Sequence, residues 1–310
     1  MKLINGVKNW VRKRHHISEM PLWKALLFQG RVPNGYIHKL KIILYYDVIN
    51  SKLNPIRLQK FCFFYLPEVP DFGTDFTYLK LGKKENISNP NSYSVIFEAD
   101  LPDNLSRYNE YFLDYSGLYA LYKNNLVKED YILLIHYDTQ ILHNKWIEII
   151  SARVRKNNIV FADWAIDNER SEVCKWIYSQ IDNIFLNTHN DSFLSFLKKN
   201  NVHKLPTTSQ FACSKENFYQ LMGFLLPIYE YILSKEDLSF RYAHLLERAW
   251  GLSFAMKGYE KVAVIRDSHN QSDSYGETVI DMPILTTALQ RNVNKFSEIL
   301  ERKSYSKRKK

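Results

Sequence analysis

The apolar run YILLI over 131–135 is the feature that most constrains how this 310-residue chain can fold. A strand of five apolar residues without alternation is buried on both faces, as are the central strands of parallel sheets. The polar triplet His136-Tyr137-Asp138 follows at once, and a helical pattern begins at Asn144. Because ligands bind outside the carboxyl ends of strands in open α/β sheets, this segment predicts both a sheet centre and a ligand site.

Short apolar runs alternate with helical patterns along the rest of the chain. The predicted strands are 41–46, 61–66, 93–97, 159–162, 210–213 and 262–265, and the predicted helices are 103–123, 146–155, most of 172–200, 216–233, 242–256 and 280–303. This alternation indicates an α/β fold with a mixed, mostly parallel sheet flanked by helices. We predict a basic amphipathic extension over 1–35, one domain over 36–280, and a C-terminal helix with a basic tail over 281–310.

Positive charge is concentrated at the two ends of the chain. The formal net charge is +9, but residues 1–24 and 301–310 each carry six basic residues and one acidic residue, so the body is nearly neutral. A basic end favours phosphate-rich surfaces such as anionic lipid or nucleic acid. The neutral body and the lack of a recognised nucleic-acid-binding motif disfavour a nucleic-acid partner.

The sequence favours a cytoplasmic protein. It has no run of about 18 apolar residues, which a transmembrane helix needs, and no N-terminal apolar stretch of about 7–15 residues, which a signal peptide needs. The three cysteines, Cys62, Cys174 and Cys213, are too widely spaced for a metal knuckle or a disulfide framework, and we expect them to be reduced.

The segment 131–142 resembles the D-x-D segment of glycosyltransferases with the A-type, nucleotide-sugar-binding, Rossmann-like fold. His136 stands in the first acidic position of that pattern and Asp138 in the second. The resemblance implies that Asp138 binds a divalent metal, Mn²⁺ or Mg²⁺, which bridges the diphosphate of a nucleotide-sugar donor, and that His136 contacts the donor. Imidazole suits Mn²⁺ better than Mg²⁺. The alternative is that both residues form a strand-end cap with local hydrogen bonds.

The segment 244–270 resembles the late segment of inverting family-2-type glycosyltransferases. Counting back from Gly258-Tyr259 places Glu247 on the acid that serves there as general base, which takes the proton of the acceptor hydroxyl. By the same resemblance His269 is a further metal ligand. The alternatives are an ion pair of Glu247 with Arg248 or with a basic residue one turn away, and an ordinary loop position for His269.

A third segment, DNLSRYNEYFLDYSGLYALYKN over 103–124, resembles a family of bacterial polysaccharide-biosynthesis glycosyltransferases. In that family too, an apolar strand ending in His-Tyr follows the helix. The resemblance covers roughly 100–270 and implies that the donor site includes Asp103, Asn104, Asn109 and Tyr119. Asp47, after the first predicted strand, stands in the place where A-type folds often contact the nucleobase. The alternatives are helix capping for Asp103 and Asn104, core packing for Tyr119 and a loop cap for Asp47.

These resemblances imply an enzyme that moves a sugar from a nucleotide-sugar to a polysaccharide, lipopolysaccharide, capsular or lipid-linked saccharide acceptor, with inversion and a metal ion. A retaining enzyme of the same fold stays open, as does a non-catalytic protein that binds saccharide or nucleic acid. With this function, the basic ends, together with Trp10 and Trp23, would hold the protein on the anionic inner face of the cell membrane. A tail that only aids solubility or is disordered is the alternative.

Overall fold

The structure is a computed structural model, which describes residues 47–157, 159–162, 165–167, 172–189, 192, 195, 199, 204–206, 208–262 and 264–267. The chain divides into two compact units, one formed by 1–55, 142–152 and 273–310 and the other by 56–141 and 153–272. A helical segment over 47–53 belongs to the first unit. The predicted N-terminal extension, the strand over 41–46 and the helix over 280–303 lie outside the described residues.

The strands, in chain order, are β1 (Leu58–Phe64), β2 (Phe76–Lys80), β3 (Ser94–Phe97), β4 (Tyr131–His136), β5 (Thr139–Ile141), β6 (Ile159–Ala162), β7 (Ala165–Asp167), β8 (Lys204–Pro206), β9 (Phe211–Ser214), β10 (Glu260–Val262) and β11 (Ile265–Asp267). In the second unit, seven of them form a sheet of order β10-β6-β9-β4-β1-β2-β3. Its neighbours are parallel except where β9 pairs with β4 and β6. This confirms the predicted mixed, mostly parallel sheet. β5 pairs with β11 and β7 with β8 in two small antiparallel sheets.

The helices are α1 (Asn109–Phe112), α2 (Asp114–Lys123), α3 (Trp146–Asn157), α4 (Glu172–His189), α5 (Lys215–Leu233) and α6 (Arg241–Lys257), with 3-10 turns at Glu98–Asp100 and Ser106–Tyr108. The start of α5 is fixed by Ser214, whose hydroxyl accepts the N–H of Asn217, a common N-cap bond. Within the described part of the chain, no helix is both long enough and apolar enough to cross a membrane.

The core of the second unit lies between the sheet and the helices that cover it. Residues 132–135 of β4 have no exposed surface, as predicted for a central strand. Aromatic side chains fill much of the space: Phe211 of β9 packs against Phe218 of α5 and against Trp250 and Phe254 of α6. Burial of these apolar faces is the main force that seats the helices on the sheet.

The prediction of one continuous helix over 103–123 is wrong. Helix α1 ends at Phe112, and α2 starts only after Leu113, whose φ of 49° and ψ of −134° do not continue a helix. The side chain of Asn109 donates to the Leu113 carbonyl at 3.1 Å, a local bond that competes with the helical pattern.

The last predicted strand, 262–265, is also wrong. The chain there holds the ends of two strands, β10 and β11, which belong to different sheets. Strand β2 was missed, and β5 separates β4 from the helix that was predicted to follow it directly.

The strand order shows where the winding of the sheet reverses. The chain runs from β1 outward to β2 and β3, then returns and places β4 on the other side of β1. The direction of winding therefore reverses between β1 and β4, which are parallel and end at Phe64 and His136. In open α/β sheets the crevice at such a switch point is where ligands bind.

Candidate functional site

Polar side chains meet at this switch point. Tyr65 Oη donates to Asp114 Oδ1 at 2.5 Å, and Ser209 Oγ donates to Asp114 Oδ2 at 3.2 Å. His136 Nε2 lies 3.3 Å from Asp114 Oδ2 and 2.5 Å from Ser209 Oγ. We call Tyr65, Asp114, His136 and Ser209 the strand-end cluster.

Each member of the cluster comes from a different element. Tyr65 follows β1, His136 ends β4, and Asp114 is the first residue of α2. Strand β9 runs antiparallel to β4 with Phe211 opposite Leu134, so Ser209, two residues before β9, lies beside the end of β4. The sheet topology therefore brings together residues that are far apart in the sequence.

The imidazole of His136 is fixed on several sides. Its side chain is 9% exposed, and its ring stacks on Phe63 with centroids 6.4 Å apart. Its backbone N–H donates to Thr139 Oγ1 at 3.0 Å, and that hydroxyl donates to Gln210 Oε1 at 2.8 Å. An unprotonated Nε2 would place its lone pair against those of Asp114 Oδ2, which is repulsive. We therefore assign a proton to this nitrogen.

Asp114 gives the cluster its acceptor and its access to solvent. Its side chain is 23% exposed, whereas Ser209 is 2% exposed. Burial, followed by the negative charge of Asp114, raises the pKa of Tyr65 well above its usual value, so the phenol stays a hydrogen-bond donor. The arrangement offers a carboxylate, held by fixed donors, to a ligand at the strand ends.

A strained turn presents Asp114. The Leu113 conformation is one that costs a residue other than glycine about 1–3 kcal/mol, and such strain clusters at functional sites. Asn109 Nδ2 braces the turn by donating to the Leu113 carbonyl and, at 2.7 Å, to Ser116 Oγ. Asn109, predicted to bind substrate, therefore supports the backbone that positions Asp114.

The hydrogen bonds that hold this turn extend through Ser116 to the buried carboxylate of Glu98. Ser116 Oγ donates to Glu98 Oε2 at 3.1 Å, and Glu98 also accepts the N–H groups of Gly82 at 2.9 Å and Leu105 at 3.3 Å. Glu98 has no exposed surface. Burial raises its pKa above the usual value, although the three hydrogen bonds oppose this shift.

We expect Glu98 to make the protein less stable as the pH rises. A raised pKa means that the folded state binds the proton more tightly than the unfolded chain, so this contribution is full below the unfolded pKa of about 4.3 and is lost as the pH rises through the folded pKa. Each unit of difference is worth about 1.4 kcal/mol. Chemical unfolding between about pH 4 and pH 8 gives the free energy of unfolding of the wild type and of Glu98→Gln, and that of the wild type should fall relative to the variant as the pH rises. Curves that stay parallel would contradict the assignment.

Glu247 lies on α6 with its side chain 14% exposed. His244 Nδ1 is 3.1 Å and Arg248 Nη1 2.5 Å from Glu247 Oε2, so the ion pair with Arg248 that the sequence left open is present. Both contacts are made to Oε2 and neither to Oε1. Burial is the main cause that raises the pKa of Tyr115, and the negative charges of Glu247 and Asp114 raise it further.

Three other predicted donor-site residues make local contacts. Asp103 is exposed, and its backbone N–H and carbonyl are bound by the side chain of Asn124 at 3.3 Å and 2.6 Å. Asn104 Oδ1 accepts the backbone N–H of Ser106 at 3.1 Å and its hydroxyl at 2.6 Å, a capping arrangement. The ring of Tyr119 packs on Tyr229, with centroids 5.2 Å apart. The contacts of Asn104 and Tyr119 agree with the alternatives stated above, whereas no capping bond of the Asp103 side chain is present among the described residues.

The last predicted donor-site residue, Asp47, is 6% exposed and belongs to the first unit. It lies in the helical segment over 47–53.

The two predicted metal ligands have different positions. Asp138 follows β4. Burial is the main cause that raises the pKa of the Cys62 thiol in β1, and the negative charge of Asp138 is the second cause. His269 lies outside the described residues. Among the side chains that the structure describes, no group of three or more His, Cys, Asp and Glu is placed to hold a metal ion. The described residues thus include Asp138 but not a full ligand set.

Three members of the strand-end cluster were missed in the sequence. Tyr65 could have been found as the first residue after a strand next to β4, once the strand order is known. Asp114 lies within a pattern that was interpreted as continuous helix, and Ser209 depends on the antiparallel direction of β9. Neither the helix break before Asp114 nor the direction of β9 is visible in the local periodicity of the sequence.

The fold is similar to a solved structure, the apo form of WbbM, a bifunctional glycosyltransferase, with a TM-score of 0.52 and 14% sequence identity. The match covers 69% of this chain and 45% of WbbM, so the chain spans less than half of that protein. No protein-family model matches the sequence. No curated protein matches it either. The chain therefore has a glycosyltransferase-like fold.

Proposed function

We propose that this chain is a glycosyltransferase that moves a sugar from a nucleotide-sugar donor to a saccharide or lipid-linked saccharide acceptor. The observation that carries the proposal is the strand-end cluster at the switch point of a glycosyltransferase-like sheet. Fold alone does not define an activity, but a fixed carboxylate, imidazole and hydroxyl at the ligand-binding end of such a sheet is suited to a polyhydroxylated substrate.

In the proposed reaction the acceptor hydroxyl attacks the anomeric carbon of the donor sugar. The bond from that carbon to the diphosphate oxygen breaks, and the nucleoside diphosphate leaves with the electron pair. Glu247 takes the proton of the acceptor hydroxyl. Because the hydroxyl attacks opposite the leaving diphosphate in a single displacement, the configuration at the anomeric carbon inverts. The contacts of Glu247 support this role, because Arg248 and His244 both hold Oε2 and leave Oε1 for the proton.

The same ion pair also favours a second candidate, a saccharide-binding protein that does not catalyse transfer. An acid held by the side chain of Arg248, which is 8% exposed, is a common structural element. Release of the free nucleoside diphosphate during incubation with donor and acceptor separates the two candidates, because binding alone releases none.

A divalent cation, Mn²⁺ or Mg²⁺, would neutralise the leaving diphosphate. We propose Asp138 and His269 as its protein ligands, with donor phosphate oxygens completing the set. We also propose that the basic residues at both ends attract the chain to an anionic membrane surface, where lipid-linked acceptors are held.

We expect one nucleotide-sugar in a panel of UDP- and GDP-sugars to raise the thermal unfolding midpoint of the full chain in the presence of Mn²⁺. A ligand that binds only the folded state stabilises it by about 2.7 kcal/mol at a hundredfold excess over Kd. Excess EDTA should abolish most of the shift. A shift that persists in the chelator contradicts the metal role of Asp138, and no shift with any donor contradicts the proposed function.

A further inference from the structure

We propose that Asp114 binds the transferred sugar by accepting hydrogen bonds from its hydroxyl groups, with Tyr65, Ser209 and His136 holding the carboxylate in place. This inference rests on the proposed function and adds to it a residue for the sugar moiety and a class of sugar. The sequence resemblances give position 114 no role.

The first argument is location and access. The cluster lies where the winding of the sheet reverses, outside the carboxyl ends of β1 and β4. Within it, His136 and Ser209 are 9% and 2% exposed, whereas the Asp114 side chain is 23% exposed. A ligand that approaches the strand ends can therefore reach the Asp114 carboxylate and the partly buried Tyr65, whereas His136 and Ser209 are buried.

The second argument is acceptor capacity. An ionised carboxylate offers about four acceptor positions. Tyr65 uses one on Oδ1, while Ser209 and His136 converge on Oδ2. One acceptor position of Oδ1 thus remains for a hydroxyl of the ligand, and a hydrogen bond to a charged acceptor is about twice as strong as a neutral one.

The third argument is preorganisation. Both carboxylate oxygens are held by donors from different elements, Tyr65 after β1 and Ser209 before β9, so the plane of the carboxylate is fixed before a ligand arrives. The strained Leu113 backbone and its brace from Asn109 hold the start of α2 in the same way. Because these groups are already ordered, binding loses less entropy.

A fourth, independent observation is a buried donor without a partner among the described residues, on the residue that follows Ser209. Gln210, next to Ser209, has no exposed surface, and its Oε1 accepts from Thr139. Its Nε2 is buried and has no hydrogen-bond partner in the described part of the chain. Buried donors are nearly always satisfied by protein, water or ligand, and a sugar brings acceptor oxygens as well as donors.

The charge of Asp114 also sets the class of sugar. Hydroxyl groups donate to a carboxylate, whereas the carboxylate of a uronic acid in the same position would be repelled by it. The cluster therefore selects neutral, hydroxyl-bearing sugars over uronic acids.

The test separates the contribution of the sugar to the binding affinity from that of the nucleotide. Isothermal titration of the full chain with UDP-glucose, UDP-galactose, UDP-glucuronic acid and GDP-mannose, and with UDP and GDP, gives the gain in affinity that each sugar adds to its diphosphate. We expect Asp114→Asn to reduce this gain at least about tenfold for the preferred donor, with the affinity for the free diphosphate unchanged. Asp237→Asn, the same change at an exposed position that has no part in the predicted site, should behave as the wild type. A preferred uronic donor would overturn the selectivity.

Two results would overturn the role of Asp114. In one, Asp114→Asn keeps the sugar-dependent gain; in the other, it weakens the diphosphate and the nucleotide-sugar equally, which indicates only a structural role. If Asp114→Asn does not fold, Tyr65→Phe decides, because it keeps the ring and removes the donor to Oδ1. We expect it to reduce the gain about threefold, and an unchanged gain would contradict the role. A wild type that transfers sugar while both variants keep the gain refutes this inference alone, whereas a wild type that binds no nucleotide-sugar refutes the proposed function too.

Discussion

Glu247→Gln is expected to reduce sugar transfer by about 10²–10⁴-fold, the range typical for loss of a general base, while donor affinity stays within a factor of two or so. The amide has nearly the shape of the carboxylate, and its oxygen can still accept from Arg248, so α6 should keep its packing. It cannot take the proton of the acceptor hydroxyl. Release of nucleoside diphosphate measures kcat, and titration with donor measures binding.

The matched control is Glu230→Gln, the same change on the exposed surface of α5. It should transfer sugar as the wild type does. If Glu247→Gln also keeps wild-type turnover, Glu247 is not the base, and its ion pair with Arg248 is a structural contact. If turnover falls because the variant unfolds, its thermal midpoint will fall with it, which separates loss of chemistry from loss of fold.

The sheet and the end of β4 could be predicted from the sequence because their signal is local. Five apolar residues in a row specify a strand buried on both faces, whatever its neighbours are, and the structure places residues 132–135 at the centre of the sheet. Strand β9 and helices α5 and α6 were predicted to within one residue at each end, because each has a clear apolar pattern.

The remainder of the site depends on contacts that periodicity does not carry. The break at Leu113 arises from side-chain bonds of Asn109 within a sequence whose spacing is helical throughout. Ser209 reaches His136 only because β9 runs against β4. A reader of the sequence can therefore find the strand that leads to the site, but the partners of His136 require the strand order and the direction of pairing.

Gly117→Ala is expected to lower the free energy of unfolding by about 1–3 kcal/mol, as overpacking of a filled core does. Gly117 lies in α2, where an added Cβ would stand 2.7 Å from Phe63 Cε2 and 2.8 Å from Leu81 Cδ2. Alanine favours a helix over glycine by about 1 kcal/mol, so the clash must exceed this gain. Gly223→Ala is the matched control, because nothing lies within 4 Å of the added atom in α5. It should stabilise the protein by about 0.5–1 kcal/mol.

The sign of the difference between these variants tests how α2 is seated. Phe63 belongs to β1, so a shift of α2 away from the sheet would also move Asp114, its first residue, from Tyr65. Gly117→Ala should therefore weaken nucleotide-sugar binding more than binding of the free diphosphate, whereas Gly223→Ala should change neither. Chemical unfolding and donor titration give both quantities. Equal stabilisation by the two alanines would contradict the close packing of α2 on β1, and with it the mechanism by which the sheet positions Asp114.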